Sequence, residues 1–61
     1  DSGEIEKICL ETIKENPQAV EDYKNGEAKA LNFIVGQVMR KTQGKADAEM
    51  VRRIVGDNIS S

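Results

Sequence analysis

The sequence has no Trp and no His, and it holds one Cys, one Pro, one Tyr and one Phe in 61 residues. A lone Cys without His supplies neither an intrachain disulfide nor the set of about four N or S ligands that a structural metal site takes. Scarce aromatics mean that a core must come from aliphatic side chains on several short elements, which suits a helical cluster better than a sheet. No uninterrupted apolar run exceeds Phe33 to Val35, far short of the roughly 20 residues of a membrane span, and no signal or transit pattern can be read. The expectation is a cytoplasmic, metal-free domain that meets no membrane. A domain this small buries only about 60% of the surface its unfolded chain exposes, which argues against a deep enzyme pocket. Asp1-Ser2-Gly3 reads as a linker or expression scar, and the chain as a piece of a longer protein.

What is present is helical periodicity. At about 100° per residue, Ile5, Ile8, Cys9, Thr12 and Ile13 share one side of a helix over residues 4 to 15, with Leu10 off the stripe. Asn16-Pro17 then reads as an N-cap followed by Pro at the first helical position, where its missing N–H costs nothing. A short second helix carries Val20 and Tyr23, and Asn25-Gly26 supplies a left-handed closing residue. The third helix, from near Glu27 through Thr42, has the strongest stripe: Ala28, Leu31, Ile34, Val35, Val38 and Met39. Gln43-Gly44 ends it in the same left-handed manner. Asp47 is placed to cap a fourth helix with Met50, Val51, Ile54 and Val55 on its apolar face. Gly56 and Asn58 weaken that helix, so Ile59 is expected near its loosening end and residues 60 to 61 frayed. The fold class is all-α, a compact bundle of three to four short helices spanning residues 4 to 59.

Charge divides the chain. Residues 1 to 27 hold eight acids and three bases, whereas residues 28 to 61 hold six bases and three acids. Arg40, Lys41 and Lys45 gather at the end of the third helix, and Arg52 and Arg53 lie outside the next apolar face. Such a patch is what a phosphate backbone requires, although spacing alone also fits solvated charges answering a helix dipole. The reverse side of the third helix aligns Lys29, Phe33, Gly36 and Arg40, with Gln37 beside them. This is either an RNA-facing strip or a second packing face, and a large aromatic beside a Gly favours packing for Phe33 and Gly36. Tyr23 reads as half-buried and Cys9 as an inert core thiol. No catalytic constellation or Gly-rich phosphate loop is present.

The run from Glu15-Asn16-Pro17 through Tyr23-Lys24-Asn25-Gly26, then Lys29-Ala30-Leu31, Phe33-Ile34-Val35-Gly36-Gln37-Val38-Met39 and Thr42-Gln43-Gly44-Lys45-Ala46, resembles the signature of the GatB/YqeY family. The resemblance is close over residues 15 to 55 and general in the first helix. Two departures are Asn32, where the family often has Gly, and Asp47-Ala48, where it often has Asn-Pro. The resemblance implies the C-terminal tail of the GatB subunit of a tRNA-dependent amidotransferase. Alternative parents are the tail-bearing subunit of the archaeal glutamate-specific enzyme and free-standing YqeY proteins. An amidotransferase parent turns Glu-tRNA(Gln) or Asp-tRNA(Asn) into the amide with ATP, Mg²⁺ and ammonia from a partner amidase subunit, the chemistry lying in an upstream domain. The tail itself is implied to use no cofactor. Its implied partners are the outer, D-loop corner of the tRNA, the rest of the GatB subunit, and the amidase and small accessory subunits.

The resemblance raises the cationic patch above the reading as solvated charge. It points to Arg40, Lys41 and Lys45, then Lys29, Gln37, Arg52 and Arg53, as tRNA-docking residues, with Pro17, Gly26, Phe33, Gly36 and Gly44 structural. The competing class is a protein-interaction module in which Phe33, Leu10 or Ile59 meets another domain or subunit.

Overall fold

A computed structural model describes residues 2–60, with side-chain placement from residue 3 onward. Four helices follow in order: α1 (Ser2–Glu15), α2 (Pro17–Lys24), α3 (Ala28–Lys41) and α4 (Ala48–Ser60). The described residues contain no strand. Helix α3 packs on all three others, α1 also meets α4 broadly, and α2 rests chiefly on α3. The expected bundle is therefore present, with α3 at its centre.

The core is aliphatic, as composition required. Cys9, Thr12, Ile34, Val38, Val51 and Val55 are fully buried, joined by Ala30, Val35, Ala46 and Ile59. Ile5, Ile8, Ile13, Leu31, Met39 and Ile54 pack around them half-buried. The hydroxyl of Thr12 sits in this core because it donates to the Ile8 carbonyl at 2.8 Å. A hydroxyl left without a partner there would cost about 1–3 kcal/mol. Ala28, expected on the buried stripe, is exposed at the first turn of α3, ahead of the point where the other helices cover it.

Turn chemistry sets the boundaries. Gly26 has φ +100°, and the Glu27 N–H donates to the Asp22 carbonyl at 2.9 Å, closing α2. At the end of α3 the equivalent bond runs from the Gly44 N–H to the Met39 carbonyl, also 2.9 Å. This puts the left-handed closing position on Gln43, φ +56°, with Gly44 at φ +75° behind it. The glycine thus stands one residue beyond the place where the motif usually puts it. Asp47 caps α4 as expected, its Oδ1 accepting the Glu49 N–H at 2.9 Å.

Three expectations are corrected. The Asn16 carbonyl accepts the first bond of α2 from Val20, but its side chain does not cap that helix. Its Nδ2 instead donates back to the Thr12 carbonyl at 2.9 Å, satisfying an acceptor that α1 leaves open at its end. Residues 2 and 3, read as linker, belong to α1, whose earlier start places Glu4 in the first turn against the positive helix end. At the other terminus α4 runs through Ser60, because Ile59, only 5% exposed, ties its last turn to the core. Asp1 and Ser61 lie outside the described residues.

Two measurements check these features. Gly26→Ala forces a Cβ into left-handed backbone and should lower stability by about 1 kcal/mol or more, whereas Gln43→Gly should raise it by about 1 kcal/mol; paired urea melts read both. Burial, reinforced by the Glu6 carboxylate, pushes the Cys9 thiol pKa up. The folded chain therefore keeps this proton at pH values where the unfolded chain, with a thiol pKa of about 8.5, releases it. By linkage this contribution is fully present below that value and declines as pH rises above it. The wild type should lose more stability than Cys9→Ala between neutral and alkaline pH in chemical denaturation.

Candidate nucleic-acid interface

The stripe that buries one side of α3 determines what the other side can be. Ile34, Val35 and Val38 turn inward, so Lys29, Phe33, Gly36 and Arg40, roughly opposite in helical register, come out on the surface. Phe33 is 52% exposed. A Cβ at Gly36 would meet nothing within 4 Å beyond its own helix. Within this chain, then, no neighbour packs closely on Gly36, and Phe33 is covered only in part, where it borders α2. Gln37, on the shoulder of the strip, is half-buried.

The cations expected to gather at the end of α3 are divided between two surfaces. Arg40 lies on the strip with Lys29. Lys41 instead forms an ion pair with Glu15 at the end of α1. Lys41 and Lys45 also line a shallow cleft between α1 and the α3–α4 connection, floored by Ile5, Ile8 and Met50 and shared with Glu4 and Asp47. Carboxylates beside both lysines weaken the field they present to an anion. Arg53 is exposed on α4.

Arg52 reaches the strip from α4. Its guanidinium donates to Asn32 Oδ1 at 2.9 Å across the α3–α4 junction. Asn32 thus anchors a cation beside the strip. Sequence spacing offers no signal for this, since the pair is twenty residues apart. The resulting surface comprises Lys29, Arg40 and Arg52 around a bare stretch of helix at Gly36, with one exposed ring.

The remaining candidates fall elsewhere. Ile59, considered for an external contact, is in the core, while Leu10 is 39% exposed on α1. Tyr23 is half-buried as expected, its hydroxyl lying 4.0 Å from where a Cβ on Gly56 would stand. Among the described residues no three acidic or thiol groups gather to hold a metal ion, and no helix is long and apolar enough to cross a membrane.

An exposed Gly in mid-helix costs up to about 1 kcal/mol against Ala. Gly36→Ala should therefore stabilise the chain by up to about that amount in thermal melting, and a loss of stability would restore close packing at this position.

A family model described as GatB domain matches residues 1–59. The GatB subunit of aspartyl/glutamyl-tRNA(Asn/Gln) amidotransferase from Geobacillus kaustophilus is 49% identical over 59 residues, covering 97% of this chain and 12% of the relative. Its counterpart from Caldanaerobacter subterraneus subsp. tengcongensis is 47% identical over 60 residues, covering 98% and 13%. That from Methanopyrus kandleri is 46% identical over 61 residues, covering 100% and 13%. The chain thus spans about an eighth of the length of these curated relatives. No solved structure matches it.

Proposed function

Because the chain belongs to the GatB domain family, we propose that it is the non-catalytic tRNA-docking tail of the glutamine-dependent amidotransferase that converts Glu-tRNA(Gln) and Asp-tRNA(Asn) to their amides in the cytoplasm. The observation that carries this reading is the outer face of α3, where Lys29 and Arg40 flank Gly36 and Arg52 is held alongside by Asn32. Cations fixed on a helical surface suit phosphate contact, and a backbone without a side chain at Gly36 lets a ribose-phosphate strand lie close. Lys45, Lys41, Gln37 and Arg53 are secondary: the first two have carboxylates beside them, Gln37 is half-buried, and Arg53 stands apart on α4.

Catalysis is assigned to the rest of the parent. A bundle of 31 × 20 × 19 Å suits a surface contact better than an enclosed pocket. The ATP and Mg²⁺ expected of the parent are assigned to its upstream domain. What this piece would contribute is uniform binding, which helps substrate and transition state alike.

The test is charge reversal on the strip. Lys29→Glu with Arg40→Glu should weaken tRNA binding without changing the helical circular dichroism. It should also flatten the slope of log affinity against log salt by about one unit, or slightly less, for each phosphate no longer neutralised. Lys7→Glu with Lys14→Glu makes the same change of charge on α1 and should matter less. In an intact amidotransferase carrying the strip variant, KM for the aminoacyl-tRNA should rise while kcat stays nearly constant. Equal effects from both pairs would reduce the contribution to net charge, and salt-insensitive association with other subunits would favour the protein-interaction alternative.

A further inference from the structure

The electrostatic surroundings of Phe33 differ on its two sides. Toward the C-terminal end of α3 stand Gly36, with no side chain, and the exposed Arg40. Toward its N-terminal end the ring edges a shallow groove where α1, α2 and α3 meet, lined by Pro17, Ala19 and Ala30, in which the carboxylates of Glu15, Asp22 and Glu27 outnumber the one cation, Lys29. A nucleotide carries the same division of chemistry: an anionic phosphate at one end and, at the other, an uncharged base whose edge bears N–H donors. Resting on the reading of this face as an RNA-docking surface, we infer that Phe33 is a stacking platform for one unpaired nucleobase, so that the face selects looped or single-stranded RNA over continuous duplex.

Each element has a part in this arrangement. Arg40 holds the phosphate and the ring carries the face of the base. Gly36 leaves room for the sugar. The carboxylates, which would repel a phosphate on the groove side, can accept hydrogen bonds from the base edge and so orient the nucleotide one way round. A base locked inside a duplex cannot reach the ring, whereas a splayed loop base stacks readily on an aromatic side chain. Tyr23, the other aromatic, is half-buried near α4 and does not share the groove.

The chain has no Trp, so Phe33→Trp introduces a single indole at the site, excited selectively over Tyr23. The probes are a short RNA hairpin with unpaired purines in its loop and the blunt duplex of the same stem. The hairpin should quench the indole and bind Phe33→Trp at least as tightly as the parent chain. It should bind Phe33→Leu about fivefold or more weakly, the loss expected of one stacked base. Duplex affinity should be unaffected by either change. If Phe33→Leu binds the hairpin as well as the parent while Arg40→Glu still binds it less well, stacking is refuted and phosphate docking survives. Equal quenching by the duplex refutes the selectivity. A blue shift that grows with protein concentration in the absence of RNA assigns the face to self-association and overturns the inference. If neither RNA binds at low salt, the docking reading itself falls, and the stacking inference with it.

Discussion

The burial of Ile34, Val35 and Val38 against the surrounding helices is the constraint on which the remaining structure depends. With so few aromatics, no single side chain can fill the interior, and one helix must be shared by all the others. The three other helices leave part of that helix uncovered. The stripe is covered and the reverse side is left open, so the feature that stabilises the bundle also exposes Lys29, Phe33, Gly36 and Arg40. Stability and surface chemistry are two consequences of one helical register.

Charge follows from the same packing. Glu15 at the end of α1 comes within reach of Lys41, drawing one cation of the third helix toward the acidic half of the molecule. Arg52 is brought to the opposite side of α3 by its bond to Asn32. The even cluster implied by Arg40, Lys41 and Lys45 is thereby divided into a strip on α3 and a mixed-charge cleft. An exposed ion pair adds little to stability, typically about 0–1 kcal/mol. Its larger effect is on the potential offered to a phosphate, because a paired lysine attracts it less.

Local chemistry was legible wherever the interaction spans only a few residues. Pro17 at the first position of α2, Gly26 beyond its end and Asp47 ahead of α4 each act through near neighbours in the chain, and each occupies the expected place. Asn16 shows where such inference fails: the same amide can serve the helix before it or the helix after it, and the choice goes to the carbonyl of Thr12. Gln43 is similar, since the residue that turns left-handed depends on which carbonyl the following N–H finds.

The all-α class, the four helices, their apolar stripes and the family were determined by the sequence itself, because periodicity, capping and an ordered string of residues are properties of neighbouring positions. Only the tertiary structure decided that Phe33 and Gly36 are open, that Ile59 is buried and that Arg52 joins α3. Those outcomes turn on which side of α3 the other helices settle. Periodicity can identify two faces of a helix, but the number and position of its neighbours determine which face meets water.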